Sequence, residues 1–172
     1  MFKIKTINNI SPVGLAKLVQ LGCMVSPDAE NPQGIIVRSA DMHGFEPNPE
    51  LMGIARAGAG YNNIPVEKMA ELGICVFNSP GANAEAVKEQ SVCSLVMASR
   101  DVLGAAEWVK SISDRGGEIP ALVEKGKSAF SGPELMGKTI GVLGLGATGA
   151  LVANVCLAMD MTVIGYDPCT LQ

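Results

Sequence analysis

The sequence predicts an α/β protein with parallel strands, and three observations predict it. Short β-branched runs alternate with segments of helical periodicity, and a glycine motif stands between a strand and a helix. The composition is 48% hydrophobic and 17% charged, with 20 glycines and only 4% aromatic residues, which suits compact α/β structure better than disorder or an all-β sandwich. Such alternation implies parallel sheets with helices on their faces, because parallel strands need crossover connections. At 172 residues the chain can be one ordinary domain or two small ones.

Taken in order, residues 2–7 read as a strand, and Ser11-Pro12 opens a helix through Gln20 with cap and first-turn proline in the favoured order. A short apolar piece at 23–25 and a loop rich in Pro, Asn and Gly lead to 35–37, too short and too β-branched for a helix, with Arg38 where that strand ends. Residues 48–55 read as a short helix, and 55–57 as a strand that breaks into Gly58-Ala59-Gly60. A helix over 63–72 is terminated by Gly73, and 74–77 is a further buried strand.

From 84 to 110 the pattern is one long helix of about 40 Å, with Val87, Val92, Leu95, Val96, Leu103 and Trp108 near helical spacing and no proline. A helix so long and apolar is expected to link two domains or to pack across a subunit interface. Residues 113–117 read as a loop, 120–127 as a short helix and Ser131-Gly132-Pro133 as a connector. A buried strand at 138–143, an apolar helix at 147–159 and a buried strand at 162–166 then form a strand-helix-strand unit.

Charge and cysteine usage exclude several classes. Thirteen basic against seventeen acidic residues give a net charge of -4, with no block of like charges, so no basic face for nucleic acid is expected. No run of about eighteen uncharged apolar residues occurs, so no membrane span is expected. Lys3 and Lys5 inside an alternating N-terminal pattern look like an edge strand and unlike a secretory leader, which makes the cytoplasm the expected compartment. Cys23, Cys75, Cys93, Cys156 and Cys169 include no C-x-x-C pair and are expected to be free thiols, buried in the apolar runs that hold all but Cys169. No metal site is expected of them. The single histidine, His43, lies in the polar loop 40–44, where a solvated or capping role is expected.

The motif that carries chemistry is Gly144-Leu145-Gly146-Ala147-Thr148-Gly149. Alone, G-x-G-x-x-G is a weak signal. Here it leaves a predicted strand and opens a predicted helix, so that Gly144 allows the tight turn, Gly146 admits a pyrophosphate to the backbone and Gly149 lets helix and strand pack closely. The free N–H groups and positive end of that helix suit an anion. Asp167 follows the next strand, eighteen residues beyond Gly149, where a carboxylate accepts from the adenosine ribose hydroxyls and repels a 2′-phosphate. NAD is therefore the expected cofactor. Arg38 and Arg56 both end parallel strands, on the side where open α/β sheets bind ligands, and guanidinium forks match carboxylate or phosphate oxygens. Between them in kind, Gly58-Ala59-Gly60 can present backbone N–H groups to a carboxylate.

Three stretches in this order resemble one family: 56–64 (Arg-Ala-Gly-Ala-Gly-Tyr-Asn-Asn-Ile), 78–84 (Asn-Ser-Pro-Gly-Ala-Asn-Ala), and Gly144 to Gly149 with Tyr166-Asp167-Pro168. The sequence is similar, over essentially its whole length, to the D-3-phosphoglycerate dehydrogenases of the NAD-dependent D-isomer-specific 2-hydroxyacid dehydrogenase family. The resemblance implies a flavodoxin-like substrate domain over 1–83, incomplete, followed by an NAD-binding Rossmann domain over 84–172, truncated after its second strand. It implies that Arg38 and Arg56 contact substrate, that Gly58, Ala59 and Gly60 bind its carboxylate with Ala59 near the nicotinamide, and that Ala147, Thr148 and Asp167 contact cofactor. It further implies a homodimer formed through the helix at 84–110.

The activity so implied is oxidation of 3-phosphoglycerate to 3-phosphohydroxypyruvate in serine synthesis, with glyoxylate, hydroxypyruvate, D-lactate or formate as alternative substrates. The family's catalytic histidine, its partner carboxylate and a further arginine match no position in 1–172, so the chain alone is expected to be inactive. A non-catalytic binding or interaction protein derived from the family is the other expectation. The isolated chain is expected to expose apolar sheet edge and helix face. Its last residues, 169–172, fit the family's pattern poorly.

Overall fold

The structure, a computed structural model, describes residues 1–169 and resolves into two compact units, Met1–Asn83 and a second that begins at Ala84. Of the closing stretch 169–172, the part from Thr170 on lies outside the described residues.

The first unit runs β1 (Lys3–Ile7), α1 (Pro12–Gln20), β2 (Met24–Ser26), β3 (Gly34–Val37), β4 (Gly53–Arg56), α2 (Val66–Glu71) and β5 (Cys75–Phe77). Its five strands pair parallel throughout in the order β2-β1-β3-β4-β5, the flavodoxin-like arrangement. β1 therefore lies inside the sheet, and β2 is the edge on that side, which corrects the expectation that the N-terminal strand is an edge. The register sets Ile7 beside Val37 and Val37 beside Arg56, so the chain leaves β1, β3 and β4 at one level.

Local chemistry explains the helix ends. α1 starts with Pro12 in its first turn, where a missing N–H costs nothing. It stops at Gly22, whose φ of 83° suits a residue without a Cβ, and Cys23 N–H closes back on Leu18 C=O at 3.0 Å. α2 ends the same way at Gly73, with Ile74 N–H on Met69 C=O at 2.9 Å. The core gathers Ile35, Val37 and Ile54 from the sheet with Met42, Leu51, Ile64, Met69 and Ile74. The alternate strand positions Gly34, Ile36, Gly53 and Ala55 join Ile4, Leu18 and Phe77 along an apolar groove.

One predicted helix is absent. Residues 48–55 do not coil: Asn48 Oδ1 accepts from Glu50 N–H at 2.8 Å and Asn48 C=O from Leu51 N–H at 3.1 Å, a turn that leads straight into β4. A short polar side chain bonding its own backbone competes with helix, and it wins here.

The second unit runs α3 (Ala84–Ser99), α4 (Val102–Ser111), a 3₁₀ turn (Gly116–Glu118), α5 (Ile119–Gly126), another 3₁₀ turn (Lys127–Phe130), β6 (Thr139–Leu143), α6 (Ala147–Ala158) and β7 (Thr162–Tyr166). β6 and β7 pair parallel with α6 as the crossover, and α3 packs on α6. The single long helix expected over 84–110 is two helices. Asp101 stands between them and its side chain accepts from Gly104 N–H at 2.9 Å, so it caps α4 and cannot also continue α3. α5 and its 3₁₀ turn hold Trp108 against Phe130, ring centroids 5.2 Å apart.

β6 and β7 were expected to be buried, and they are not. Val142 alone of their residues is buried, while Leu143 is 85%, Tyr166 64% and Ile164 63% exposed. A pair of strands with a helix on one side leaves its other face uncovered. The cysteines also differ from expectation: all are free, but only Cys156 is buried, Cys23 is intermediate and Cys75, Cys93 and Cys169 are exposed. Among the described residues no helix is long and apolar enough to cross a membrane, and no three His, Cys, Asp or Glu side chains group to hold a metal ion.

Candidate functional site

In the second unit the glycine turn and Asp167 form one structure. Gly144 takes φ 89° as the chain leaves β6, and its N–H donates to Tyr166 C=O at 2.7 Å. Gly149 lies against it so closely that a Cβ would stand 1.8 Å from Gly144 O. Gly146, in contrast, has nothing within 4 Å of where a Cβ would project. The three glycines thus serve turn, open approach and close packing in that order.

α6 begins just beyond. Its first return bond, Ala150 N–H to Gly146 C=O at 3.0 Å, leaves the N–H groups of Ala147, Thr148 and Gly149 to be satisfied from outside the helix. No acidic side chain lies in that first turn to compete for them. An anion such as a pyrophosphate fits this open, positively polarised end.

Asp167, at the exit of β7, sits beside the same turn. Its Oδ2 accepts from Leu145 N–H at 2.6 Å and its Oδ1 from Cys169 N–H at 2.8 Å. These bonds, that from Cys169 first and that from Leu145 second, hold its carboxyl below the usual carboxylate range. A carboxylate is an acceptor-only group with about four acceptor sites, the chemistry that a sugar hydroxyl's donor matches. Sequence reasoning placed Asp167 here but missed the Leu145 N–H that anchors it. Any x residue of G-x-G supplies an N–H, so no side-chain signal marked it.

The lowered pKa has a consequence for stability. A carboxylate bound more tightly in the folded state stabilises the fold above its ordinary pKa and stops doing so as pH falls through the lowered value. The difference in thermal midpoint between wild type and Asp167→Asn is therefore expected to be constant from about pH 5 to pH 8, and to shrink once the pH falls below about 4. Thermal scans of both proteins across that range check this; a difference that persists unchanged in acid contradicts it.

In the first unit the strand order reverses between β1 and β3, the switch point at whose carboxyl side open α/β sheets bind ligands. Arg38 follows β3 there and is exposed. The loop behind it is braced by Asn8, whose Oδ1 accepts from Ser39 N–H at 3.0 Å and Ala40 N–H at 2.8 Å. Arg56 ends the neighbouring strand β4, half-buried. Its Nε is shut off from water with no hydrogen-bond partner, and no carboxylate among the described residues pairs with its guanidinium. Gly58 makes room for it: at φ 152°, a Cβ there would fall 1.5 Å from Arg56 Nη1.

Beyond Gly58, Ala59 and Gly60 are exposed, and their N–H groups donate to no atom among the described residues. Asn78 and Ser79, at the exit of β5, hold the loop from behind: Asn78 Nδ2 donates to Ala59 C=O at 2.7 Å and Ser79 N–H to Gly58 C=O at 2.9 Å. The sequence singled out the 78–84 stretch without giving these two side chains a task. His43 is apart from all this chemistry; its Nδ1 lies 2.6 Å from Asp41 Oδ1 and its own N–H donates to the same oxygen, a loop-capping arrangement in solvent.

Residues 25–156 match the profile of the catalytic domain of the D-isomer specific 2-hydroxyacid dehydrogenases. A D-3-phosphoglycerate dehydrogenase of Mycobacterium leprae is 36% identical over 145 residues, which is 83% of this chain and 25% of that protein. A hydroxypyruvate reductase of Thermotoga maritima is 39% identical over 124 residues, 72% of this chain and 37% of that one. The chain thus spans about a quarter to two fifths of these relatives' length. Among solved structures, an NAD+-bound 3-phosphoglycerate dehydrogenase of Entamoeba histolytica superposes with a TM-score of 0.72 at 24% identity, over 99% of this chain and 55% of that one. A D-isomer specific 2-hydroxyacid dehydrogenase of a Polaromonas species does so with a TM-score of 0.78 at 21% identity, over 100% of this chain and 57% of that one. At such identities these two show likeness of fold. Taking the matched profile and the curated relatives together, the chain belongs to the D-isomer specific 2-hydroxyacid dehydrogenase family.

Proposed function

We propose that this chain forms the substrate-holding and nucleotide-holding front of an NAD-dependent dehydrogenase that oxidises 3-phosphoglycerate to 3-phosphohydroxypyruvate, a step of serine synthesis. The observation that carries the reading is Asp167, held by Leu145 N–H beside an open helix start. In this assignment the N–H groups of Ala147 and Thr148 hold the pyrophosphate, and Asp167 accepts from the ribose hydroxyls while its charge repels a 2′-phosphate. Bound NAD supplies a hydride acceptor at its nicotinamide. Residues 1–83 serve as the substrate domain, and those from Ala84 as the nucleotide domain.

On the substrate side, Arg56 and the N–H groups of Ala59 and Gly60 take the α-carboxylate, because a partnerless half-buried guanidinium gains most from an anion. Arg38 takes the phosphate. These residues bind and orient; none of them is assigned a proton-transfer role. Pairing of two copies through α3 and α4 belongs to the same proposal.

A second reading, a smaller substrate such as hydroxypyruvate or glyoxylate, is favoured by the exposure of Arg38, which no neighbour braces toward a phosphate. Amide NMR of the 172-residue chain tests the assignment. NAD is expected to shift the resonances of Leu145 to Gly149 with weak, millimolar-range affinity, and NADP to bind more weakly still. Equal NADP binding, or NAD shifts elsewhere only, overturns the cofactor assignment; sub-micromolar NAD affinity overturns the view that a partial site is present. On the first unit, 3-phosphoglycerate binding tighter than glyoxylate, with the preference lost in Arg38→Ala, supports the phosphorylated substrate, and equal binding rejects it.

A further inference from the structure

The loop at Arg56 to Gly60 has a built-in aim that its own residues do not explain. Each peptide unit is planar and trans, so its C=O and N–H point in opposite directions, and among the described residues no peptide bond is cis. Gly58 C=O and Ala59 N–H belong to one such unit, and Ala59 C=O and Gly60 N–H to the next. Both carbonyls are drawn to the exit of β5, that of Gly58 by Ser79 N–H at 2.9 Å and that of Ala59 by Asn78 Nδ2 at 2.7 Å. Both N–H groups are thereby turned to the opposite side, two successive donors facing one way. A backbone with neighbouring N–H groups convergent in this manner is a nest for one anionic oxygen pair. Arg56 C=O is drawn in too, accepting from Gly58 N–H at 2.9 Å and from Ser79 Oγ at 3.4 Å, which keeps the base of the loop against the same anchor.

Of these anchors, only the Asn78 bond is made by a side-chain donor to the peptide that carries Gly60 N–H, and its partner is nineteen residues away in sequence. Two glycines in a stretch of three leave the loop little conformational preference of its own. We propose that Asn78 is a positioning residue: by holding Ala59 C=O it aims Gly60 N–H, alongside Ala59 N–H, at the carboxylate of the substrate. The inference rests on the carboxylate reading of this loop given above. It requires a donor at position 78, so a carboxylate there, of nearly the same shape but acceptor-only, reverses the interaction and repels Ala59 C=O.

The test is titration of the 172-residue chain with glycolate, the smallest 2-hydroxy acid, followed by backbone amide NMR, for wild type, Asn78→Asp and Asn78→Ala. In wild type the Ala59 and Gly60 amides are expected to shift saturably. In Asn78→Asp glycolate affinity is expected to fall at least tenfold and the Gly60 shift to vanish, while the thermal midpoint stays within a few degrees because the side chain is at the surface. Asn78→Ala is expected to lie between the two, and it supplies the comparison if the charged variant folds poorly. Unchanged affinity with the same Gly60 shift in both variants overturns the role of Asn78 and leaves the carboxylate reading standing. Wild-type amides at 59 and 60 that ignore glycolate overturn both.

Discussion

Replacing Gly149 by alanine is expected to lower the stability of the second unit by a net of about 2 kcal/mol, although alanine is the better helix former. Two effects oppose each other. Alanine in place of glycine within a helix is worth about 1 kcal/mol in its favour. Against that, the new Cβ would stand 1.8 Å from Gly144 O, a backbone atom that cannot rotate away, so α6 must move off the turn. Overpacking of this kind costs up to about 3 kcal/mol, and the larger effect wins. Urea denaturation of wild type and Gly149→Ala reads the difference directly. Gly146→Ala is the matched control, since open space surrounds that site and only a ligand would meet the new methyl. Equal stability of wild type and Gly149→Ala contradicts the close-packing role assigned to the third glycine.

The second large effect is expected at Arg56, with opposite signs in fold and binding. Its Nε is buried without a partner, and an unsatisfied buried polar group costs about 1–3 kcal/mol. Arg56→Leu replaces it with an apolar side chain, so the chain is expected to be as stable as wild type or more so. Carboxylate affinity is expected to fall about 10- to 150-fold, the equivalent of the 1.5–3 kcal/mol of hydrogen bonds to a charged group. Glycolate titration and thermal unfolding of the same variant measure both. Loss of stability together with unchanged affinity would show that Arg56 braces the loop and takes no ligand.

The parts of the fold that are legible in the sequence are those set by local chemistry. The runs at β3, β6 and β7 are β-branched and end at glycines or polar turns, and the helices α1 and α2 end at Gly22 and Gly73 with backbone closure as expected. The break at 100–101 was hidden because apolar residues keep helical spacing on both sides of it. Asp101 three residues before Gly104 was the available signal, a capping pattern embedded in an otherwise continuous period. Residues 48–55 misled for the converse reason: helix formers follow Asn48, yet a turn bonded to its side chain takes precedence. Burial of β6 and β7 was not legible at all, since apolar composition does not say whether a covering layer is present.

The site divides along the same line. Gly144, Gly146, Gly149 and Asp167 announce themselves by spacing within one strand-helix-strand unit, and the structure brings them together. Arg38 and Arg56 were placed by strand ends, and both do lie at the carboxyl edge of the sheet, on neighbouring strands. What spacing could not reveal is contact across the fold, such as Asn78 reaching Ala59. That contact depends on where β4 and β5 lie relative to each other, which is a property of the sheet and not of either segment.

The bond from Leu145 N–H to Asp167 has one more effect, on kinetics. A carboxylate already fixed in place has no rotamers left to lose when a sugar arrives, so its share of the ordering entropy was spent during folding and does not slow or weaken association. Under the proposed function, ribose recognition at this turn is accordingly a matter of docking onto a ready-made template.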